Sequence, residues 1–242
     1  GIQISASHNP VQYNGLKLFD ETGRVLTARQ GEQVRDLYLA TESHPLPAET
    51  PGTIQECADT LSDHLARVLA TVNSAAIRDQ HYRVLLDANH GAGGLLGRPL
   101  LETLGCQVHL LGEEPHGSFQ HAPEPTATNL AGICQAVANA KVDIGFCQDP
   151  DADRLAIIDA QGIYLGEEYT LALCADHVLQ QQPGPIVTNC ASSLMIEDLA
   201  RQHGVAFERS AVGEANVVDV MLARQASFGG EGNGGPIDPR VG

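Results

Sequence analysis

Three aspartates at alternate positions, Asp149, Asp151 and Asp153 in DPDADR, directly follow the apolar run Ile144, Gly145, Phe146 and Cys147. Carboxylates at this spacing in a strand-end loop can turn toward one point. They then offer the hard oxygen ligands that Mg²⁺ and Ca²⁺ take. The EF-hand pattern does not fit, because Arg154 stands where that loop needs Gly and Ala160 where it needs a bidentate Glu. Arg154 also sets a phosphate-sized counter-charge beside the acids. The alternative is a solvated acidic turn holding no ion. Position at the C-terminal end of a strand, where ligands gather in open α/β sheets, favours the metal.

A second cluster places Ser7, His8 and Asn9 before Pro10, with Asn14, Gly15 and Lys17 just beyond. Such a turn can present an oxygen nucleophile, a proton acceptor and a cation to a transferring phosphoryl group. Taken alone, serine next to histidine in a polar loop is usually just a loop. A third cluster, Gly229 to Gly235 with Glu231 and Asn233 at alternate positions, follows Val212, Gly213 and Glu214. Its glycines let backbone approach a ligand, and its two polar side chains can grip neighbouring hydroxyls. A flexible glycine linker is the competing reading. Gly91, Gly93 and Gly97 imitate a dinucleotide fingerprint, but their spacing is GxGxxxG and Leu110 and Leu111 stand where an acid is needed. They predict a tight strand-to-helix turn.

The elements that must position these clusters alternate. Expected strands lie at Ile2 to Ser5, Lys17 to Phe19, Arg83 to Asp87, Val108 to Leu111, Asp143 to Cys147, Leu155 to Ile158, Ile186 to Asn189, Phe207 to Arg209 and Ser227 to Gly229. Expected helices run from Thr27 to Ala40, around Leu61 to Val72, and over Leu95 to Leu104, Asn129 to Ala140, Glu167 to Gln180, Ser193 to His203 and Ala215 to Arg224. A turn at Ala160 to Gly162 follows the sixth strand. Strand–helix alternation means βαβ units and a mainly parallel sheet. The stretch Thr41 to Thr53, with prolines at 45, 47 and 51, reads as a linker. Boundaries near 54 and 163 divide the chain into 1–54, 55–163 and 164–242.

Bulk properties narrow the function. The chain of 242 residues carries a formal charge of −16 and no Lys/Arg run, which disfavours nucleic acid. Its apolar stretches fall short of the ~20 residues of a membrane helix. Six cysteines without CxxC spacing indicate neither a zinc site nor a disulfide framework. Together with the lack of a signal peptide or N-x-[ST] sequon, they point to a cytoplasmic protein. The start inside GIQISASHNP and the glycine- and proline-rich stretch GGEGNGGPIDPRVG, which shows no closing helix or strand, suggest truncation at both ends.

In this order the motifs resemble those of the α-D-phosphohexomutase family: SASHNP with YNGLK its phosphoserine loop, DPDADR its metal loop, GGEGNGG its sugar-selecting loop. The resemblance covers essentially the whole chain. It implies repeated three-layer α/β domains with mixed, mainly parallel sheets. Residues 1–54 would then be the end of domain 1, 55–163 domain 2 and 164–242 an incomplete domain 3, with a fourth domain lacking. It further implies that Ser7 is phosphorylated and belongs with Asp149, Asp151 and Asp153 to an Mg²⁺ site, with His8, Lys17 and Arg154 assisting. Gly213, Glu231 and Asn233 would contact the sugar.

The implied activity is interconversion of hexose 1- and 6-phosphates through a hexose 1,6-bisphosphate, which also serves as activator. Many family members carry GGEQSGH or GGEPSGH, so Asn233 replaces a serine and Gly235 a histidine. GGEGNGG resembles archaeal-type phosphoglucosamine mutases, with phosphoglucomutase and phosphomannomutase specificity the alternatives. In the family the fourth domain carries an Arg/Ser/Gly/Thr-rich loop that grips the substrate's non-reacting phosphate, and the resemblance implies that without it the chain alone has little or no turnover. An aspartyl-phosphate phosphatase using Asp149, and a sugar-phosphate- or metal-binding remnant without activity, are the competing readings.

Overall fold

The computed structural model describes residues 1–40 and 52–242. Most of the expected proline-rich linker, residues 41–51, lies outside the described residues. Three sheets organise the rest. Strands β1 (Ile2–Ile4) and β2 (Leu16–Leu18) pair antiparallel, with Ile2 opposite Leu18 and Ile4 opposite Leu16. Helix α1 (Ala28–Ala40) follows. Ile2, Ile4, Leu16 and Tyr38 in this segment remain exposed, and α1 has no buried residue.

Helices α2 (Ser62–Ala70) and α3 (Ser74–Arg78) lead into the second sheet. It is built from β3 (Arg83–Asp87), β4 (Gln107–Leu111), β5 (Ile144–Gln148) and β6 (Leu155–Asp159) in the order β4-β3-β5-β6. The first three strands run parallel through crossovers containing α4 (Gly94–Thr103) and α5 (Ala131–Ala140). The central strand β3 is buried from Val84 to Asp87, the continuous burial expected of a parallel strand covered on both faces. Strand β6 turns back antiparallel on β5, with Cys147 opposite Ala156. Leu85, Leu130, Val137 and Ile158 form the core beneath α5. The expected turn after β6 is present: Gly162 N–H donates to Asp159 O at 2.9 Å.

The third sheet has the order β10-β9-β7-β8, from β7 (Ile186–Asn189), β8 (Phe207–Ser210), β9 (Phe228–Glu231) and β10 (Gly235–Ile237). Helices α6 (Glu167–Gln181), α7 (Met195–His203) and α8 (Glu214–Arg224) pack on it. Glu167 and Glu168 occupy the first turn of α6, where the helix dipole favours negative charge. Leu171, Ala175, Val178 and Leu179 recur on its buried face and meet Ile186, Ile196 and Phe228. Helix α7 has acids in its first turn, Arg201 and His203 in its last, and a left-handed Gly204 as its stop.

One expectation is corrected: Gly235-Pro236-Ile237 is a strand, antiparallel to β9. Two glycines and a proline hide the strand pattern, and the proline is tolerated because β10 lies at the sheet edge. Among the described residues, no helix is long and apolar enough to cross a membrane.

Candidate active site

The loop between β1 and β2 is closed by the Ser5 N–H donating to Gly15 O at 3.1 Å. A Cβ on Gly15 would lie 2.7 Å from Ser5 O, so the approach requires glycine. At the loop's turn Ser7 adopts a left-handed backbone (φ 47°), which costs a non-glycine residue ~1–2 kcal/mol. That conformation coincides with a particular aim. Ser7 Oγ donates to Asp149 Oδ2 at 3.0 Å and lies 3.2 Å from His8 Nδ1.

The three aspartates occupy the hairpin loop joining β5 to β6, at the C-terminal end of β5, and offer carboxylate oxygens within 4.8 Å of one another. Asp149 is fully buried and Asp151 partly so. Burial, with the charge of Asp153 added, pushes the Asp149 carboxyl up to about 7. Burial acts in the same sense on Asp151, but the Ser5 hydrogen bond and the Lys17 charge outweigh it and hold that carboxyl below its usual range. Lys17 Nζ donates to Asp153 at 2.8 Å and stands 3.5 Å from Asp151. One lysine does not balance three carboxylates, and Asp151 Oδ1 is buried with no hydrogen-bond partner. Those oxygens fit a hard divalent cation, with Ser7 Oγ beside them.

His8 is half-buried, and burial together with the Arg154 charge lowers its pKa, favouring the neutral imidazole. The backbone N–H of Arg154 donates to Asp149 Oδ1 at 3.0 Å, so the loop's end fixes the orientation of its first ligand.

The glycine turn after β3 supports this loop from below. Ala92 N–H donates to Pro150 O at 2.7 Å. A Cβ on Gly91 would meet Pro150 O at 2.4 Å, and one on Gly93 would meet Gln148 Oε1 at 2.2 Å. The turn is tight, as its spacing predicts, and its glycines serve close packing under DPDADR.

The glycine-rich segment after β9 is held equally firmly. Glu231 Oε1 accepts from Asn189 Nδ2 at 2.6 Å and from the Gly213 N–H at 2.9 Å. Asn189 Oδ1 in turn accepts from Ala191 N, Ser192 N and Ser192 Oγ, and Ser192 Oγ accepts from Gly232 N. The Leu155 N–H donates to Gly234 O at 3.0 Å, joining this segment to the strand that leaves the aspartate loop. Gly213 (φ 115°) and Gly234 (φ 86°) occupy backbone conformations that favour glycine. A cleft of about 640 Å³ results, lined by Arg154, Glu167, Gly213, Glu231 and Asn233 among others. A more apolar cavity of about 760 Å³ between Phe19–Val25 and α8 is lined by none of the three aspartates.

The residues expected to carry chemistry fall in two neighbouring groups, while Asn9 and Asn14 bond only within their own loop. Ser7, His8, Lys17 and the aspartates meet at one point; Arg154 lines the cleft with Gly213, Glu231 and Asn233. Three contributors escape a sequence reading. Ser5 Oγ donates to Asp151 Oδ2 at 2.6 Å and accepts the Ser7 N–H at 3.0 Å. Asn189 anchors Glu231, and Glu167 forms part of the cleft wall. A polar residue ending an apolar strand is the signal that could have found Asn189.

Fold and site together define an α/β protein of repeated domains, with a serine loop, a carboxylate triad and a polar cleft set side by side. Family models describing phosphoglucomutase/phosphomannomutase alpha/beta/alpha domains I, II and III match residues 1–45, 62–162 and 166–241. A protein of Thermococcus kodakarensis named phosphoglucomutase/phosphomannomutase is 34% identical, over 99% of this chain and 53% of its own length. One of Methanococcoides burtonii, named "Probable phosphoglucosamine mutase", is 32% identical over 100% of this chain and 54% of its own. The solved structure of a phosphoglucomutase/phosphomannomutase family protein from Burkholderia thailandensis shares the fold, with TM-score 0.77 at 24% identity, covering 100% of this chain and 51% of that one. The chain belongs to the phosphoglucomutase/phosphomannomutase family. It spans about half the length of the curated relatives it matches.

Proposed function

We propose that this chain carries the phosphoryl-transfer centre of a phosphosugar mutase. Such an enzyme interconverts hexose 1-phosphate and hexose 6-phosphate through a phosphoserine at Ser7 and a hexose 1,6-bisphosphate. The observation that carries the reading is the Ser7 hydroxyl held 3.0 Å from Asp149 at the point where three carboxylates converge. Asp149, Asp151 and Asp153, with the Ser7 oxygen, would hold Mg²⁺, which when bound offsets negative charge on the transferring group.

The chain's own residues supply the rest. A sugar hydroxyl attacks the phosphorus on Ser7 and gives up its proton, the P–Oγ bond breaks, and the electron pair returns to Oγ, which takes up a proton. In the reverse transfer the Ser7 hydroxyl attacks a phosphorus of the bisphosphate, its proton passes to the neutral His8, and the P–O bond to the sugar breaks, leaving its electron pair on the sugar oxygen, which is protonated. Lys17 and Arg154 balance phosphate charge, while Glu231 and Asn233 orient the hexose through its hydroxyls. Positioning supplies much of the rate in such a step, because little covalent chemistry is asked of the protein. The preferred substrate is a glucosamine phosphate, a reading supported by GGEGNGG and by the names of several relatives. Glucose and mannose phosphates are the alternatives.

The test is transfer of label from a ³²P-hexose 1,6-bisphosphate in the presence of Mg²⁺. Acid-stable label on a Ser7 peptide, lost in Ser7→Ala, is expected. Acid-labile label on Asp149 would instead make the protein an aspartyl-phosphate phosphatase.

A further inference from the structure

Glu167 opens α6 on the wall of the cleft that also presents Arg154, Glu231 and Asn233. Its Oε1 is buried and has no hydrogen-bond partner, and the same holds for Asn233 Oδ1 in the same cleft. Glu231 commits its Oε1 to Asn189 and Gly213. Glu167, Glu168, Asn189, Glu231 and Asn233 thus line one cleft in which, among the described residues, Arg154 is the only cationic one. Buried acceptors in native proteins are almost always satisfied, so two orphans in one cleft point to a ligand that brings donors.

A neutral hexose brings hydroxyls alone. A hexosamine also brings an ammonium, with three donors and a positive charge, and a carboxylate is the acceptor that gains most from it. We propose that Glu167 receives the ammonium of a hexosamine phosphate and so sets a preference for amino sugars over glucose and mannose phosphates. This rests on the mutase reading above. The Glu167 carboxyl is pushed up to about 7 by burial, against the pull of Arg154. An arriving ammonium offsets that burial penalty.

Titration calorimetry of this chain with Mg²⁺ tests the proposal, using glucosamine 6-phosphate and glucose 6-phosphate as probes at pH 8. Tighter binding of the amino sugar, by about tenfold, is expected, as is loss of that margin in Glu167→Gln with glucose 6-phosphate little changed. Glu167→Asp keeps the charge and should keep part of the margin. Equal binding of both sugars by the unaltered chain overturns the proposal whether or not any variant folds. So does a Glu167→Gln variant that weakens both sugars alike. Label on Ser7 without an amine preference removes only this inference; no binding of either sugar together with no label on Ser7 removes the mutase reading and the inference with it.

Discussion

Charge placement at single residues has consequences for stability as well as for ligands. Glu167 carries a pKa raised from 4.5 to about 7 by burial, so between those values the folded chain binds a proton that the unfolded chain has released. Stability then falls as pH rises through that window; the penalty is absent below it and complete above it. Glu167→Gln should therefore melt higher than the parent at pH 8 and at nearly the same temperature at pH 4.5, measured by circular dichroism. A variant that gains nothing at pH 8 would show the carboxyl to be well solvated. That Ser7, Asp149, Asp151 and Asp153 are candidates for one site could be read in the sequence, because a metal and phosphoryl site would need their types at close spacing, and the fold brings them together. Ser5 and Glu167 could not, and Asn189 only as a polar residue that ends an apolar strand. Ser5 and Asn189 work through partners distant in the chain, as when Asn189 reaches Glu231, and all three are polar in a context where polar residues are common.

Among the elements, those with an apolar run or a helical period of their own were legible and those without one were not. Strands β3 and β7 have the bounds their apolar runs predict, since buried parallel strands need little beyond such a run. Helix α3, five residues long, and β10, with its proline, lack a pattern of their own and exist through what they pack against. The β3–α4 turn was legible as a turn, but its function was not, because the loop it supports begins some sixty residues later in the sequence. Gly91→Ala would place a Cβ 2.4 Å from Pro150 O, which only a backbone shift relieves. We expect that variant to fold, to lose roughly 1–3 kcal/mol in denaturant titrations, and to bind Mg²⁺ about tenfold more weakly because DPDADR is displaced. Unchanged Mg²⁺ affinity would show that the loop tolerates the shift.

For the whole molecule, charge and connectivity matter most. A formal −16 spread over 242 residues repels itself, so the melting temperature should rise when salt is increased from about 10 to about 200 mM, as screening shortens the Debye length from ~30 Å to under 10 Å. A flat response would mean that local pairs already cancel the field. The first segment is tied to the rest by side chains: Ser5 to Asp151, Lys17 to Asp153 and Arg24 to Asp219. Strand–helix alternation in the sequence implied repeated α/β layers, but not the strand order β4-β3-β5-β6, which depends on how crossovers choose sides. One further consequence follows from the bond between the Leu155 N–H and Gly234 O. Main-chain atoms of adjacent units thus hold the glycine-rich segment beside the aspartate loop, through a bond that involves no side chain at 233 or 235. On the mutase reading proposed above, substitutions there would change the preferred hexose while leaving the phosphoryl-transfer centre in place, so selection could act on the two separately.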